Sequence, residues 1–395
     1  MNKRIQRIFK YIIKIIMIIG IAVPLLCPHI PINIQAAELA ENNLSAKSAL
    51  LMDADSRRVL YEKNGYQQMP MASTTKIMTC LLALEQADMQ DVVEFSANAA
   101  SMPKVHLGAP KGTKFYMGDM LYSLMLESHN DTAVAIAESV AGDTMSFANM
   151  MNERAKQIGA KNTNFVTPNG LDAEQHYTTA YDLALIAAEA IKNEEFLKIV
   201  NTPSHSFRDI EGNRQYAAGN KDAFLSMMNG AIGIKTGFTG NAGYCFVGAL
   251  KRDNRTFISV VLASGWPPNK SLKWKDTIKL MNYGIDNYNY RVIFNDINDY
   301  KSIEVINGQR KYVQTYIKGN VSTLLSDKDV VEYVYELPPG EILEAPVQEN
   351  QVIGRVKILI NGEEFQRFDI CTRGSVRKID MRYSFRRILK KFLFM

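Results

Sequence analysis

The spacing of apolar positions divides this chain into two parts of different character. Ser48 to Lys63, SALLMDADSRRVLYEK, predicts a strand, a turn at Asp53 to Arg58 and a second strand. Ser73 to Ala87 contains no Gly or Pro. Its apolar residues Ile77, Met78, Cys80, Leu81, Leu82 and Leu84 predict a mostly buried helix. Gly118 to Gly142 is rich in Leu, Met and Ala and predicts helix interrupted by a loop at Ser128 to Asp131. Helical patterns recur at Met145 to Ile158 and Thr179 to Lys192. Ile232 to Ser264 holds two or three strands with Asp253-Asn254 as a hairpin turn. A helix from Ser271 to Tyr288 follows. Strands at both ends with helices between them predict an α+β fold, an antiparallel sheet flanked by helices with a helical subdomain, over residues 41–290.

Beyond residue 297 the pattern changes. Short β-rich runs, Tyr312 to Ile317, Val330 to Tyr335 and Gln351 to Ile360, are broken by Leu337-Pro338-Pro339-Gly340 and Asn361-Gly362. They predict a small all-β domain over 297–373, with no constellation of reactive side chains. Two domains agree with a length of 395 residues, and 47% apolar residues are enough for ordinary cores.

The two ends read differently from the body. Lys3, Arg4, Arg7, Lys10 and Lys14 precede an apolar run from Ile15 to Leu26, and Ile34-Gln35-Ala36 resembles a cleavage site, so residues 1–36 are expected to be a secretory signal. Over 376–395, Phe385, Ile388, Leu389, Phe392 and Leu393 fall on one stripe of a helix, with Arg382, Arg386, Arg387, Lys390 and Lys391 on the other face. This basic amphipathic helix is expected to lie on a membrane surface. The formal net charge of +5 comes from the ends: the signal carries +5 and the tail +6, which leaves the body at −6 and excludes a nucleic-acid reading. Without Cys27 in the signal, Cys80, Cys245 and Cys371 form neither a disulfide scaffold nor a metal cluster. The five histidines show no ligand spacing, so no metal and no cofactor is implied.

Three short motifs carry the chemistry, in the order Ser73-Thr74-Thr75-Lys76, Ser128-His129-Asn130 and Lys235-Thr236-Gly237. Ser-x-x-Lys also occurs at Ser101-Lys104 and Ser375-Lys378, and Ser-x-Asn at Ser96-Asn98, so context has to select. Ser73 alone opens an apolar helical run, where positions i and i+3 share a face and set Lys76 beside Ser73. A serine hydroxyl attacks only when a base takes its proton. Lys76 can serve once neutral, and lowering its pKa from roughly 10.4 to about 7 costs ~4 kcal/mol, within reach of burial and a like charge. Lys235 supplies the like charge. Ser128 can relay a proton to the leaving amine, and Asn130 can hold the substrate amide and the Lys76 amine. Lys235 and Thr236 face an anionic end of the substrate, with Lys270 a further candidate for that anion. Gly237 lets a substrate backbone approach a strand edge. The backbone N–H groups of Ser73 and Phe238 form an oxyanion hole.

The motif set is that of penicillin-binding proteins and class A β-lactamases. Beyond it, KTGFTGNAGYCFVGAL from Lys235 and TPNGLDAEQHYTTAYD from Thr167 resemble segments of the low-molecular-mass D-alanyl-D-alanine carboxypeptidases, over residues 41 to 373. The resemblance implies a transpeptidase-like fold followed by a β-sandwich over 297–373, with Ser73 the acylated nucleophile, Lys76 its base, and Ser128, Asn130 and Lys235 the other catalytic groups. It implies removal of the terminal D-alanine from peptidoglycan stem peptides, covalent inhibition by β-lactams, and a site outside the cytoplasmic membrane, facing the wall. A D,D-endopeptidase would use the same residues. A β-lactamase is disfavoured, because Asn162 to Asp172 lacks the deacylating glutamate of that class and Glu174 is followed four on by Thr178. His129 departs from the family's usual glycine, and whether it narrows the cleft or adds a polar group stays open.

Overall fold

The computed structural model describes residues 39–393; the expected signal segment, 1–36, lies outside the described residues. Five antiparallel strands, Val59–Lys63, Ser48–Asp53, Arg255–Leu262, Gly243–Arg252 and Ala231–Thr239, lie side by side in that order. Asp253 and Asn254 join two of them with φ of 52° and 59°, the left-handed pair that a two-residue hairpin turn requires. Side-chain alternation on Gly243–Arg252 divides two cores. Cys245, Val247 and Ala249 face a helical layer, and Phe246 and Leu250 face the helix Leu272–Asn287.

The helical layer is built around Lys76–Gln86, of which Lys76 to Ala83 are buried without a break. Asn130–Ala141, Thr144–Ile158 and Ala180–Ala190 pack about it. A helix buried on all sides explains why the segment from Ser73 shows an apolar run rather than a one-faced stripe. Two features lacked a legible pattern, the hairpin Ser204–Arg208 with Gln215–Gly219 and the short pair Val92–Glu94 with Lys114–Tyr116; the helix Glu194–Asn201 was not expected although Asn193 caps it and Phe196, Ile199 and Val200 form its buried stripe. The hairpin and the short pair alternate too briefly to stand out as strands.

From Asn289 the chain forms an all-β unit. The pair Asn289–Phe294 and Val321–Leu325 packs with a six-stranded sheet around Ile293, Ile317, Val356, Ile358 and Ile370. Arg58, from the loop before the second strand, donates to Leu324 O at 2.6 Å and pairs with Asp329, which ties this unit to the main sheet. Asp380 caps the C-terminal helix, Met381–Leu393, by accepting from Tyr383 N at 2.6 Å. Phe385, Ile388, Leu389, Phe392 and Leu393 are all exposed on it. No described helix is long and apolar enough to cross a membrane.

The main sheet is closed by a buried carboxylate. Asp276 is fully buried and accepts from Ser45 N at 3.1 Å, Ala46 N at 2.8 Å and Ser264 Oγ at 2.7 Å. Asp276→Ala leaves those donors unpaired and is expected to cost about 3 kcal/mol, read as a lower urea midpoint. An unchanged midpoint would show that the N-terminal segment does not depend on this residue.

Candidate active site

Ser73 lies in a 3-10 turn, Ala72–Thr75, that runs directly into the helix carrying Lys76. Ala72 takes a left-handed φ of 48°, which sets the entry angle of the turn. The Lys76 side chain is wholly buried. Its Nζ lies 3.1 Å from Ser73 Oγ, 2.9 Å from Asn130 Oδ1 and 2.5 Å from Asn169 O. Burial, reinforced by the charge of Lys235 and opposed by Asp131, holds the Lys76 ammonium well below the ordinary lysine range. A neutral amine has two hydrogens and one lone pair. Asn130 Oδ1 and Asn169 O can take both hydrogens, which leaves the lone pair directed at the Ser73 hydroxyl.

Ser128 ends a π-helical turn, Ser123–Glu127, in the left-handed conformation with φ 70°. This kink turns the chain so that Ser128 and Asn130 lie on either side of His129. The Ser128 hydroxyl makes no hydrogen bond to another described residue. His129 turns away from the cleft: it is buried, with Nδ1 2.8 Å from Ser123 Oγ, which in turn lies 3.0 Å from Thr132 Oγ1. Burial lowers its pKa below the ordinary histidine value. Its place is therefore in the packing of the subdomain, which resolves the role the sequence left open.

Lys235, Thr236, Gly237 and Phe238 lie on Ala231–Thr239, the edge strand of the main sheet, so one side of its backbone is free to pair with an extended ligand. Lys235 is buried and its Nζ donates to Thr236 O at 3.2 Å. Burial pulls its pKa down to about 8; Asp222 and Glu127 oppose that shift and Lys273 adds to it. The missing side chain of Gly237 leaves room for the turn that carries Ser73. A Cβ there would lie 3.1 Å from Met71 O, Ser73 N and Thr74 N, so the space belongs to the Ser73 turn. Phe238 is half exposed and packs against Tyr244 with its ring tilted, ring centroids 4.6 Å apart. Lys270 is exposed, and its carbonyl accepts from Lys273 Nζ at 3.3 Å.

The segment 162–178 completes the site, and its part was not legible as chemistry. Gly170 has φ +80°, and a Cβ there would meet Ala72 O at 2.0 Å, so only glycine allows the segment to seat against the Ser73 turn. Asp172 accepts from Thr239 Oγ1 at 2.8 Å, linking the segment to the edge strand. Thr75 Oγ1 donates to Ala72 O and lies 2.9 Å from His176 Nε2, while His176 Nδ1 accepts from Val166 N at 2.9 Å. Those bonds require the neutral ring with its proton on Nε2. On the opposite wall, Asp131 accepts from Leu107 N and Gly108 N, both at 2.9 Å, and fixes the loop over Asn130. Its position directly after the second motif was the one signal that could have marked it. Among the described residues no group of His, Cys, Asp and Glu could hold a metal ion.

Comparison with known proteins gives one consistent result. A family profile described as D-alanyl-D-alanine carboxypeptidase matches residues 34–265, and one described as penicillin-binding protein 5, C-terminal domain, matches 288–378. The chain is 30% identical over 350 residues to the D-alanyl-D-alanine carboxypeptidase DacF of Bacillus subtilis, covering 87% of this chain and 88% of that one. Its fold is similar to the crystal structure of penicillin-binding protein 5 from Haemophilus influenzae, with a TM-score of 0.71, 28% identity, and coverage of 86% of this chain and 100% of that one. It is also similar to penicillin-binding protein D2 from Listeria monocytogenes in its cefotaxime-bound form, with a TM-score of 0.55, 29% identity, and coverage of 63% and 99%.

The buried imidazole makes the site sensitive to acid. Burial lowers the His176 pKa to about 4, against roughly 6.5 in an unfolded chain. Between those values the unfolded state binds the extra proton, so stability is full above the upper value and falls as pH drops toward the lower one. His176→Asn keeps an acceptor for Val166 N and removes the titration. The gap in unfolding free energy between wild type and variant is expected to shrink by about 2 kcal/mol between pH 7 and pH 4.5. Parallel stability curves would show that the imidazole takes up its proton as readily in the folded state as in the unfolded one.

Proposed function

Because this chain belongs to the D-alanyl-D-alanine carboxypeptidase family, as a serine peptidase of the low-molecular-mass penicillin-binding group, we propose that Ser73 is its acyl-ester nucleophile and Lys76 the base that activates it. The observation that carries this reading is the wholly buried Lys76 amine, its hydrogens claimed by Asn130 and Asn169 and its lone pair left to Ser73. The stem peptide lies along the free edge of Ala231–Thr239 as an added strand. Its terminal carboxylate meets the Lys235 ammonium and the Thr236 hydroxyl. Ser73 Oγ gives its proton to Lys76 and attacks the carbonyl carbon of the penultimate D-alanine. The oxygen that becomes negative is held by the N–H groups of Ser73 and Phe238. The C–N bond then breaks, and Ser128 passes a proton to the departing amine of the terminal D-alanine. Water cleaves the ester and restores Ser73.

A strained β-lactam amide presented to the same carbonyl position would acylate Ser73 equally well. Slow release of that ester follows from the character of the neighbouring segment. What it turns toward Lys76 is the carbonyl of Asn169, and its one nearby carboxylate, Asp172, is bound to Thr239. No carboxylate of this segment stands ready to activate a deacylating water, which favours a peptidase over a β-lactamase.

The protein is exported and held at the outer face of the membrane, facing the wall. This reading rests on the signal pattern and on the C-terminal helix, whose five apolar side chains are exposed rather than packed on the protein's own surface.

Labelled penicillin is expected to mark the wild type covalently and to leave Ser73→Ala unmarked; equal labelling of both would place the nucleophile elsewhere. A chain ending before Met381 is expected to move from the membrane to the soluble fraction with its penicillin labelling unchanged. Retention on the membrane would mean that the helix is not the anchor.

A further inference from the structure

The imidazole of His176 takes no part in the reaction described above, yet it touches both turns on which that reaction depends. It is buried, with the Phe165 ring edge-on to it at a centroid distance of 6.1 Å. Its Nδ1 accepts from Val166 N at 2.9 Å and from Thr167 N at 3.4 Å, at the start of the turn that brings the Asn169 carbonyl to Lys76. Its Nε2 lies 2.9 Å from Thr75 Oγ1. The Thr75 hydroxyl gives its own proton to Ala72 O at 2.8 Å, so toward the ring it accepts. Ala72 is the residue whose left-handed backbone opens the Ser73 turn. One chain of hydrogen bonds thus runs from Val166 N through the imidazole and the Thr75 hydroxyl to Ala72 O.

We infer that His176 is a positioning residue that holds the Asn169 carbonyl and the Ser73 turn in register about the Lys76 amine. The inference rests on the assignment of Lys76 as the base. Thr75 and Thr79 stand one turn apart on the same side of the chain that carries Lys76. Thr79 Oγ1 donates to Pro168 O at 2.7 Å, which pins the facing segment at one point, next to Asn169. A segment held at one point can pivot. The bonds through His176 supply a second point, so the Asn169 carbonyl keeps its direction toward Lys76 Nζ. That direction decides the chemistry: Asn169 O and Asn130 Oδ1 must take the two amine hydrogens for the lone pair to face Ser73 Oγ. Lys235 and Thr236 lie on the edge strand, outside this chain of hydrogen bonds. The imidazole therefore acts on the activation of Ser73 and leaves the anion-binding side chains alone.

The test is the rate constant for acylation of the full chain by labelled penicillin at pH 7, taken per active molecule, with active molecules counted from the final extent of labelling. His176→Asn keeps an acceptor for Val166 N, but its shorter side chain leaves Thr75 Oγ1 without its donor. Thr75→Val cuts the same chain from the other end and leaves the imidazole in place. Each variant is expected to acylate roughly tenfold more slowly than wild type. Because both act through one chain, the double variant is expected to be no slower than the slower single one. A merely structural role would lower the labelled fraction and leave the rate per active molecule unchanged, and that result in either variant overturns the inference. Losses that multiply in the double variant overturn it too, since the two residues would then act independently. Lys76→Met separates this inference from the one beneath it. If Lys76→Met is slow while His176→Asn keeps the wild-type rate, the positioning role alone fails. If Lys76→Met acylates at the wild-type rate, the assignment of Lys76 fails and the positioning role with it.

Discussion

A single lone pair organises this molecule. An amine can act as a base only if it is neutral and only if its free electrons point at the proton to be taken. Both conditions are met by burial: Lys76 sits where water cannot stabilise its charge, between two oxygens that claim its hydrogens. One oxygen comes from the start of a helix some fifty residues away and the other from a loop carbonyl beyond it. The arrangement requires two separate chain segments to converge on the first turn of one helix, and the packing of the helical layer around that helix brings them there.

That convergence explains where the backbone departs from its ordinary conformations. Ala72 and Ser128 both take left-handed φ, and Gly170 does so with a carbonyl pressed against the place a Cβ would occupy. Such residues cost stability locally and persist only where the surroundings fix them. The surroundings here are a fully buried helix on one side and a five-stranded sheet on the other. Gly237 belongs with this group: its missing side chain lets the edge strand and the Ser73 turn lie in contact.

What could be read from the sequence follows the range of each interaction. Ser73 and Lys76 are neighbours on one helix, so their pairing is local and the motif reveals it. The strands and helices of the main domain show periodic patterns, and the hairpin turn at Asp253 and Asn254 has its own residue signature. Asn169 contributes a backbone carbonyl, which any residue carries, so no composition or spacing could point to it. His129 stands inside a reactive motif yet faces the subdomain core, because the left-handed turn at Ser128 rotates the following residue inward. The sequence thus speaks for local geometry, and tertiary packing decides which neighbour each polar atom meets.

The strand that carries Lys235, Thr236 and Gly237 is the last in its sheet. A free edge offers alternating N–H and C=O groups, and these read the direction and extension of a guest chain while ignoring its side chains. An enzyme that recruits its substrate in this way is indifferent to most of what that substrate is made of. In the proposed reaction discrimination falls to the terminus, where one ammonium, one hydroxyl and the two amides of the proposed oxyanion hole would meet the last two residues. The same bareness exposes the enzyme to imitation: a small rigid amide with a carboxylate at the right distance needs no peptide attached to it.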